Sequence, residues 1–220
     1  MGKGYAAVAL ATVLASCAHA PQQAESGGKP VYVVERATEA PKGQGEWDGP
    51  VWRKANELEV DVFYPLGAKR DPNAHRPTTR ARVLYDEKGL YVHFLVNDRY
   101  VRCIETEYHG KVWQDACVEF FVQPKADRGY FNFEINCGGT MLLSYHENPQ
   151  YQGPVERAEE SVPWDLAKEV RIFHTMPKTV DPEIADPVTW QIEYFIPFTI
   201  FETYVGPLGD VSGQTWCANF

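Results

Sequence analysis

Three features of this 220-residue sequence predict an all-β fold, an antiparallel β-sandwich of immunoglobulin-like or jelly-roll type. Aromatic residues make up 13% of the chain, with 12 Tyr, 11 Phe and 6 Trp, a usage that suits pleated strands better than a helical bundle. From Val31 onward, apolar and polar residues alternate in short runs separated by turn residues drawn from 17 Gly and 16 Pro. No stretch of twelve or more residues carries an amphipathic helical period. Hydrophobic residues at 44% and charged residues at 23% exclude disorder, collagen and coiled coil. The net charge of −9, from 21 Lys+Arg against 30 Asp+Glu, argues against a nucleic-acid partner, which needs a basic face.

The elements follow in order along one domain. Residues 1–17 read as an export signal: Lys3 is the positive start, and Ala6 to Ala15 form an apolar stretch too short to span a bilayer. Leu14-Ala15-Ser16-Cys17 resembles the bacterial lipobox, in which the Cys is acylated and becomes the new N-terminus. The competing reading is ordinary cleavage after Ala18-His19-Ala20, which would discard Cys17. Residues 18–30 are polar, contain Gly and Pro, and read as a flexible tether. The expectation is a lipoprotein of the cell envelope, held at a membrane through its lipid alone.

Residues 31–220 read as the folded domain. Arg80–Tyr85 and Leu90–Val96 flank the turn Asp86-Glu87-Lys88-Gly89, a hairpin signal. Further strands are expected over Cys117–Val122, Tyr130–Asn136, Thr140–Ser144, Glu169–Phe173 and Trp190–Ile196, with one short helix over Pro197–Tyr204. Residues 212–220 read as a strand just entered, without a turn or polar tail to finish it. The sandwich is therefore expected to lack its C-terminal strand or strands, with an open edge beside Trp216. Cys103, Cys117, Cys137 and Cys217 allow three disulfide connectivities, and their spacing chooses none of them.

Several segments, taken in order, resemble family 9 carbohydrate-binding modules. They are Trp47-Asp48-Gly49-Pro50-Val51-Trp52 with Ala55; the hairpin 81–92 with Asp98; and Trp113-Gln114-Asp115 leading into Val118-Glu119-Phe120-Phe121. Tyr130–Thr140, Glu193–Pro197 and Gly213–Phe220 complete the series, so the resemblance covers residues 31–220. It implies a β-sandwich that binds an oligosaccharide or polysaccharide between two Trp rings, often with structural calcium. Trp113 and Glu119 match one such Trp and its partner carboxylate. Glu134 stands where some members place Arg, and the second stacking Trp would fall after Phe220.

Sugar recognition needs a flat apolar face for C–H groups and polar atoms at fixed heights for hydroxyls. The binding residues expected are Trp113, Glu119, Glu134, Asn136 and Glu193; the competing reading makes Trp113 core and the acids solvated strand residues. Trp52, in the opening segment, reads as core. Paired carboxylates also serve glycoside hydrolysis, so a hydrolase or its accessory subunit is the alternative to a non-catalytic module. A haem-binding sandwich using Met141 with His93, His146 or His174 is a further alternative, against which a lone strand Met is more often core filler. Asp98 and Asp115 are the candidates for calcium, among loop acids that include Asp86, Asp127 and Asp210; no cofactor is required for binding.

Overall fold

Val83, Val92, Phe94 and Trp190 on one layer of strands, and Val118, Phe120, Phe131 and Phe133 on another, bury their side chains in a single shared core. The computed structural model describes residues 6–11, 30–61, 75–147 and 159–220. The first layer is β2 (Val31–Arg36), β4 (Thr78–Tyr85), β5 (Gly89–Asp98), β13 (Val188–Pro197) and β11 (Arg171–His174), with β3 (Glu57–Val60) added on β4. The second is β10 (Glu159–Ser161), β9 (Met141–His146), β8 (Tyr130–Asn136), β7 (Cys117–Gln123) and β14 (Thr215–Asn219). A separate pair joins β6 (Val101–Cys103) to β12 (Val180–Ile184). Pairing is antiparallel except at β2, which runs parallel to both of its neighbours.

Phe220 shows how the layers meet: its ring packs against Tyr32 of β2, Phe94 of β5 and Phe120 of β7. Helix α2 (Phe198–Val205) closes one end, with Phe201 set edge-on against Phe131 and Trp216. The expected β4–β5 hairpin forms around Asp86, whose Oδ1 accepts from the Lys88 and Gly89 amides at 2.7 and 3.1 Å. Gly89 is obligatory there, because a Cβ would lie 2.1 Å from the Ile196 carbonyl oxygen.

In the unprocessed chain the edge beside Trp216 is covered, and cleavage before Cys17 would uncover it. Strand β1 (Ala6–Ala11) pairs antiparallel with β14 and parallel with β2, and so links the two layers along one side. The same residues carry the pattern of an export signal. An alternating run of small and branched apolar residues can serve either as a leader or as a strand, since both require only an uncharged apolar stretch. Cys17 and the tether up to residue 29 lie outside the described residues. Among the described residues, no helix is long and apolar enough to cross a membrane.

Candidate functional site

Strand alternation places Val118, Phe120 and Val122 of β7 in the core and turns Cys117, Glu119, Phe121 and Gln123 to the outer face. Strand β8 turns Tyr130, Asn132, Glu134 and Asn136 the same way, and β9 adds Leu142, Ser144 and His146. The register sets Glu119 directly across from Glu134, and Phe121 across from Asn132, which in turn faces Ser144. A sheet face this rich in carboxylates and amides is unlike the opposite, wholly apolar one.

Glu119 and Glu134 are thus brought together, as neighbours on adjacent strands. Burial, reinforced by the Glu134 carboxylate, pushes the Glu119 carboxyl up to about 7. Glu134 Oε1 accepts a 2.6 Å hydrogen bond from Asn132 Nδ2. Near neutral pH the pair therefore offers both a carboxyl proton and carboxylate oxygens, the two complements a hydroxyl needs. Farther along the face, Tyr130 stacks on His146 with ring centroids 4.6 Å apart and planes within 7°.

The segment 104–116 frames this face. Its root is Asp115, whose Oδ1 accepts from the Ile104 amide at 3.0 Å, while Oδ2 accepts from the Glu105 amide and from Asn136 Nδ2, each at 2.9 Å. Glu105 organises the interior of the segment by accepting from the amides of Thr106, Glu107 and Lys111. His109 takes a left-handed φ of 63°, and its Nε2 lies 3.2 Å from Ser144 Oγ. A single 3₁₀ turn over Val112–Gln114 buries Val112 and leaves Trp113 51% exposed. Half of the Trp113 side chain is thus open to solvent on a turn pinned through Asp115, a flat apolar face that a ligand could cover.

A second exposed ring was not anticipated from the sequence. Trp164, in the short helix α1 (Trp164–Ala167), is 56% exposed and packs against Tyr108 at 5.0 Å. Tyr108 adjoins His109 and donates its hydroxyl to the Val162 carbonyl. Tyr130, Asn132, Ser144, His146 and His109 were likewise missed as contributors to this face. The available signal was the polar alternation in β8 and β9; which loop lies over those strands is decided by the fold.

Two of the expected binding residues sit elsewhere in role or place. Asn136 is on the outer face but fully buried, with its amide donating to the Glu105 carbonyl and Asp115 and its Oδ1 accepting from the Thr140 amide. It supports the loop and has no atom left for a sugar. Glu193 belongs to the other layer, where it is 3% exposed and accepts the amides of Gly43 and Gly45 at 3.0 and 2.9 Å. It clamps the segment 37–56, which covers the back of β4, β5 and β13. Under that cover His93 lies edge-on between Trp47 and Trp52, each 4.9 Å away, and burial drives its pKa down to about 3. Trp52 is 2% exposed, as a core residue should be.

Of the calcium candidates, Asp115 does not fit a metal. Both Asp115 oxygens are committed to N–H donors, and Asp98 Oδ1 is 2.8 Å from His75 Nε2 and 2.7 Å from the Arg99 amide. Among the described residues, no three His, Cys, Asp or Glu side chains gather as a metal group. Of the haem candidates, Met141 is core, His146 of the same strand lies on the outer face, His93 is sealed in the opposite layer, and His174 Nδ1 is 2.7 Å from the Met176 carbonyl oxygen.

The sequence matches the family model described as carbohydrate-binding family 9 over residues 67–220. The chain belongs to carbohydrate-binding family 9. Among solved structures, this family 9 module is similar to a protein from Bacteroides uniformis named for carbohydrate binding. The two are 22% identical with a TM-score of 0.63, over 78% of this chain and 74% of that one. Two family 9 modules from Caldicellulosiruptor kristjanssonii, solved with cellotriose and with glucose, are 10% and 11% identical, each with a TM-score of 0.45. The first match covers 76% of this chain and 66% of the other, and the second covers 84% of each. No curated protein matches the chain in sequence. The family gives the module its β-sandwich fold and its general activity, carbohydrate binding.

Proposed function

We propose that this family 9 module captures an oligosaccharide or polysaccharide on the outer face of β7, β8 and β9, without chemistry, as an exported protein tethered to a membrane by a lipid on Cys17 and serving polysaccharide catabolism. The observation that carries the binding reading is the polar face around the Glu119–Glu134 pair, framed by a segment that holds Trp113 half exposed. An aromatic platform supplies the C–H contacts, and the carboxyls, amide and hydroxyl supply the polar ones. A tether would add a raised local concentration near the envelope. Support for export comes from the apolar leader and the Leu14-Ala15-Ser16-Cys17 segment.

Calorimetry against a panel that includes gluco-oligosaccharides tests the binding claim. Trp113→Ala should weaken the best ligand by on the order of 1–2 kcal/mol, Trp164→Ala by less, and a folded Trp52→Phe protein not at all. Equal affinities for wild type and Trp113→Ala would return that ring to a structural role. For the tether, Cys17→Ala should move the protein from the membrane fraction to the soluble one, and unchanged partitioning would rule out the lipid. A raised carboxyl beside a second carboxylate is also the arrangement of a glycoside hydrolase. Reducing-sugar release by wild type, lost in Glu119→Gln, would replace capture with hydrolysis.

A further inference from the structure

Cys103 is the last residue of β6, and Cys137 directly follows β8. Both are fully buried in the shared core, whereas Cys117 and Cys217 lie outside that cluster. The two chain segments are brought side by side by backbone hydrogen bonds through residue 116: the Ala116 amide donates to the Arg102 carbonyl at 2.9 Å, and the Cys137 amide donates to the Ala116 carbonyl at 2.8 Å. Both are free thiols in this structure, close enough that each influences the ionisation of the other. Gly138 keeps the approach open, since a Cβ at that position would fall 2.7 Å from Cys103 Sγ. The segment that starts at Cys103 and returns through Ala116 to the Cys137 backbone is the one that carries Trp113.

We propose that Cys103 and Cys137 form a disulfide when the chain folds in an oxidising environment, locking the root of the Trp113 segment to the β8–β9 turn. Of the three connectivities open in the sequence, this keeps one bridge of the one that contains Cys103–Cys137. Cys117 and Cys217 cannot be the second pair. Register sets Cys217 opposite Gln123, six residues along β7 from Cys117, a separation of roughly 20 Å at the rise of a strand. Those two remain thiols.

The chemistry is exchange with a small disulfide oxidant such as glutathione disulfide. One cysteine thiolate attacks the oxidant, forming a mixed disulfide and releasing one glutathione thiol. The second cysteine attacks its partner's sulfur in that mixed disulfide, forming the S–S bond and releasing the other glutathione. The protein gives up two protons and two electrons, and glutathione disulfide is reduced to two thiols. In the folded protein both thiols are sealed from solvent, and burial pushes them above their ordinary range, so neither attacks readily. Oxidation therefore belongs to folding, before the layers close, and the state reached then persists.

The test refolds the reduced full-length chain in a glutathione redox buffer and, in parallel, under reductant. The oxidised product should be two hydrogens lighter, and non-reducing digestion should give one linked peptide pair containing Cys103 and Cys137. Cys117→Ser and Cys217→Ser should leave that link, and Cys103→Ser should remove it. Peptide mapping of the wild type decides the matter even if a variant fails to fold. Chain folded under reductant and then exposed to the same buffer should remain a dithiol over the time in which refolding chain is oxidised. Complete alkylation of all cysteines after oxidative refolding, or a link to Cys17, Cys117 or Cys217, would overturn the pairing. Rapid oxidation of the native dithiol would overturn its timing.

Discussion

Replacing Glu119 by Gln removes one titrating group from the acid pair and keeps its shape, so the substitution isolates the electrostatics of the binding face. In the folded protein burial and Glu134 raise the Glu119 carboxyl from 4.5 to about 7. The folded state therefore holds a proton that the unfolded chain has lost between these values. Stability associated with the group is complete below pH 4.5 and is lost as pH rises through 7. At about 1.4 kcal/mol for each pH unit separating the two values the loss reaches about 3.5 kcal/mol, and the partial exposure of the strand face reduces it to roughly 2–3 kcal/mol. Urea unfolding of both proteins at pH 4 and pH 8 measures this directly. Glu119→Gln should match wild type at pH 4 and exceed it by roughly 2–3 kcal/mol at pH 8. Parallel stability curves for the two proteins would refute the reasoning, because they would mean Glu119 titrates alike in both states. A ligand that accepts the Glu119 proton should also bind wild type more weakly above pH 7.

Two other outcomes follow from the opposite layer and from its junction. His93 is held neutral down to about pH 3, so its contribution is full above the unfolded value of 6.5 and is lost as pH falls toward 3; at pH 5 it costs about 2 kcal/mol. In His93→Gln that acid-side slope should disappear from the urea midpoints, and persistence of the slope would assign it to other groups. A chain beginning at Cys17 loses β1 and with it the partner of β14 and of β2. It should melt at a lower temperature and self-associate through the freed edges, read by calorimetry and light scattering; an unchanged melting temperature in a monomer would show that β1 contributes nothing.

Local chemistry wrote most of the layers into the sequence. Alternation placed β4, β5, β7, β8, β9 and β13 because the strand period is two and each strand buries one face. Asp86 and Gly89 marked the hairpin through turn chemistry, and Pro197 marked the start of α2. Trp113 and Glu119 were legible through the family resemblance, as a ring and a carboxylate at a fixed spacing on one chain segment.

Only the tertiary structure could decide which alternating faces are shared. Glu119, Glu134 and Glu193 read alike in sequence, each a carboxylate between bulky apolar neighbours on a strand. Register sets the first two side by side, while the third is on the other layer, held by the amides of Gly43 and Gly45. Asn136 and Asp115 look like ligand contacts until their partners are seen to be each other and the loop backbone. Trp164 carries no spacing signal, since its place beside Tyr108 depends on a contact between segments more than fifty residues apart. The same holds for β1, whose apolar residues describe a leader as well as a strand, and for the cysteines, whose pairing is a matter of distance. Strand period and turn chemistry act within a few residues and can be read along the chain; partners across the sandwich exist only once the layers close.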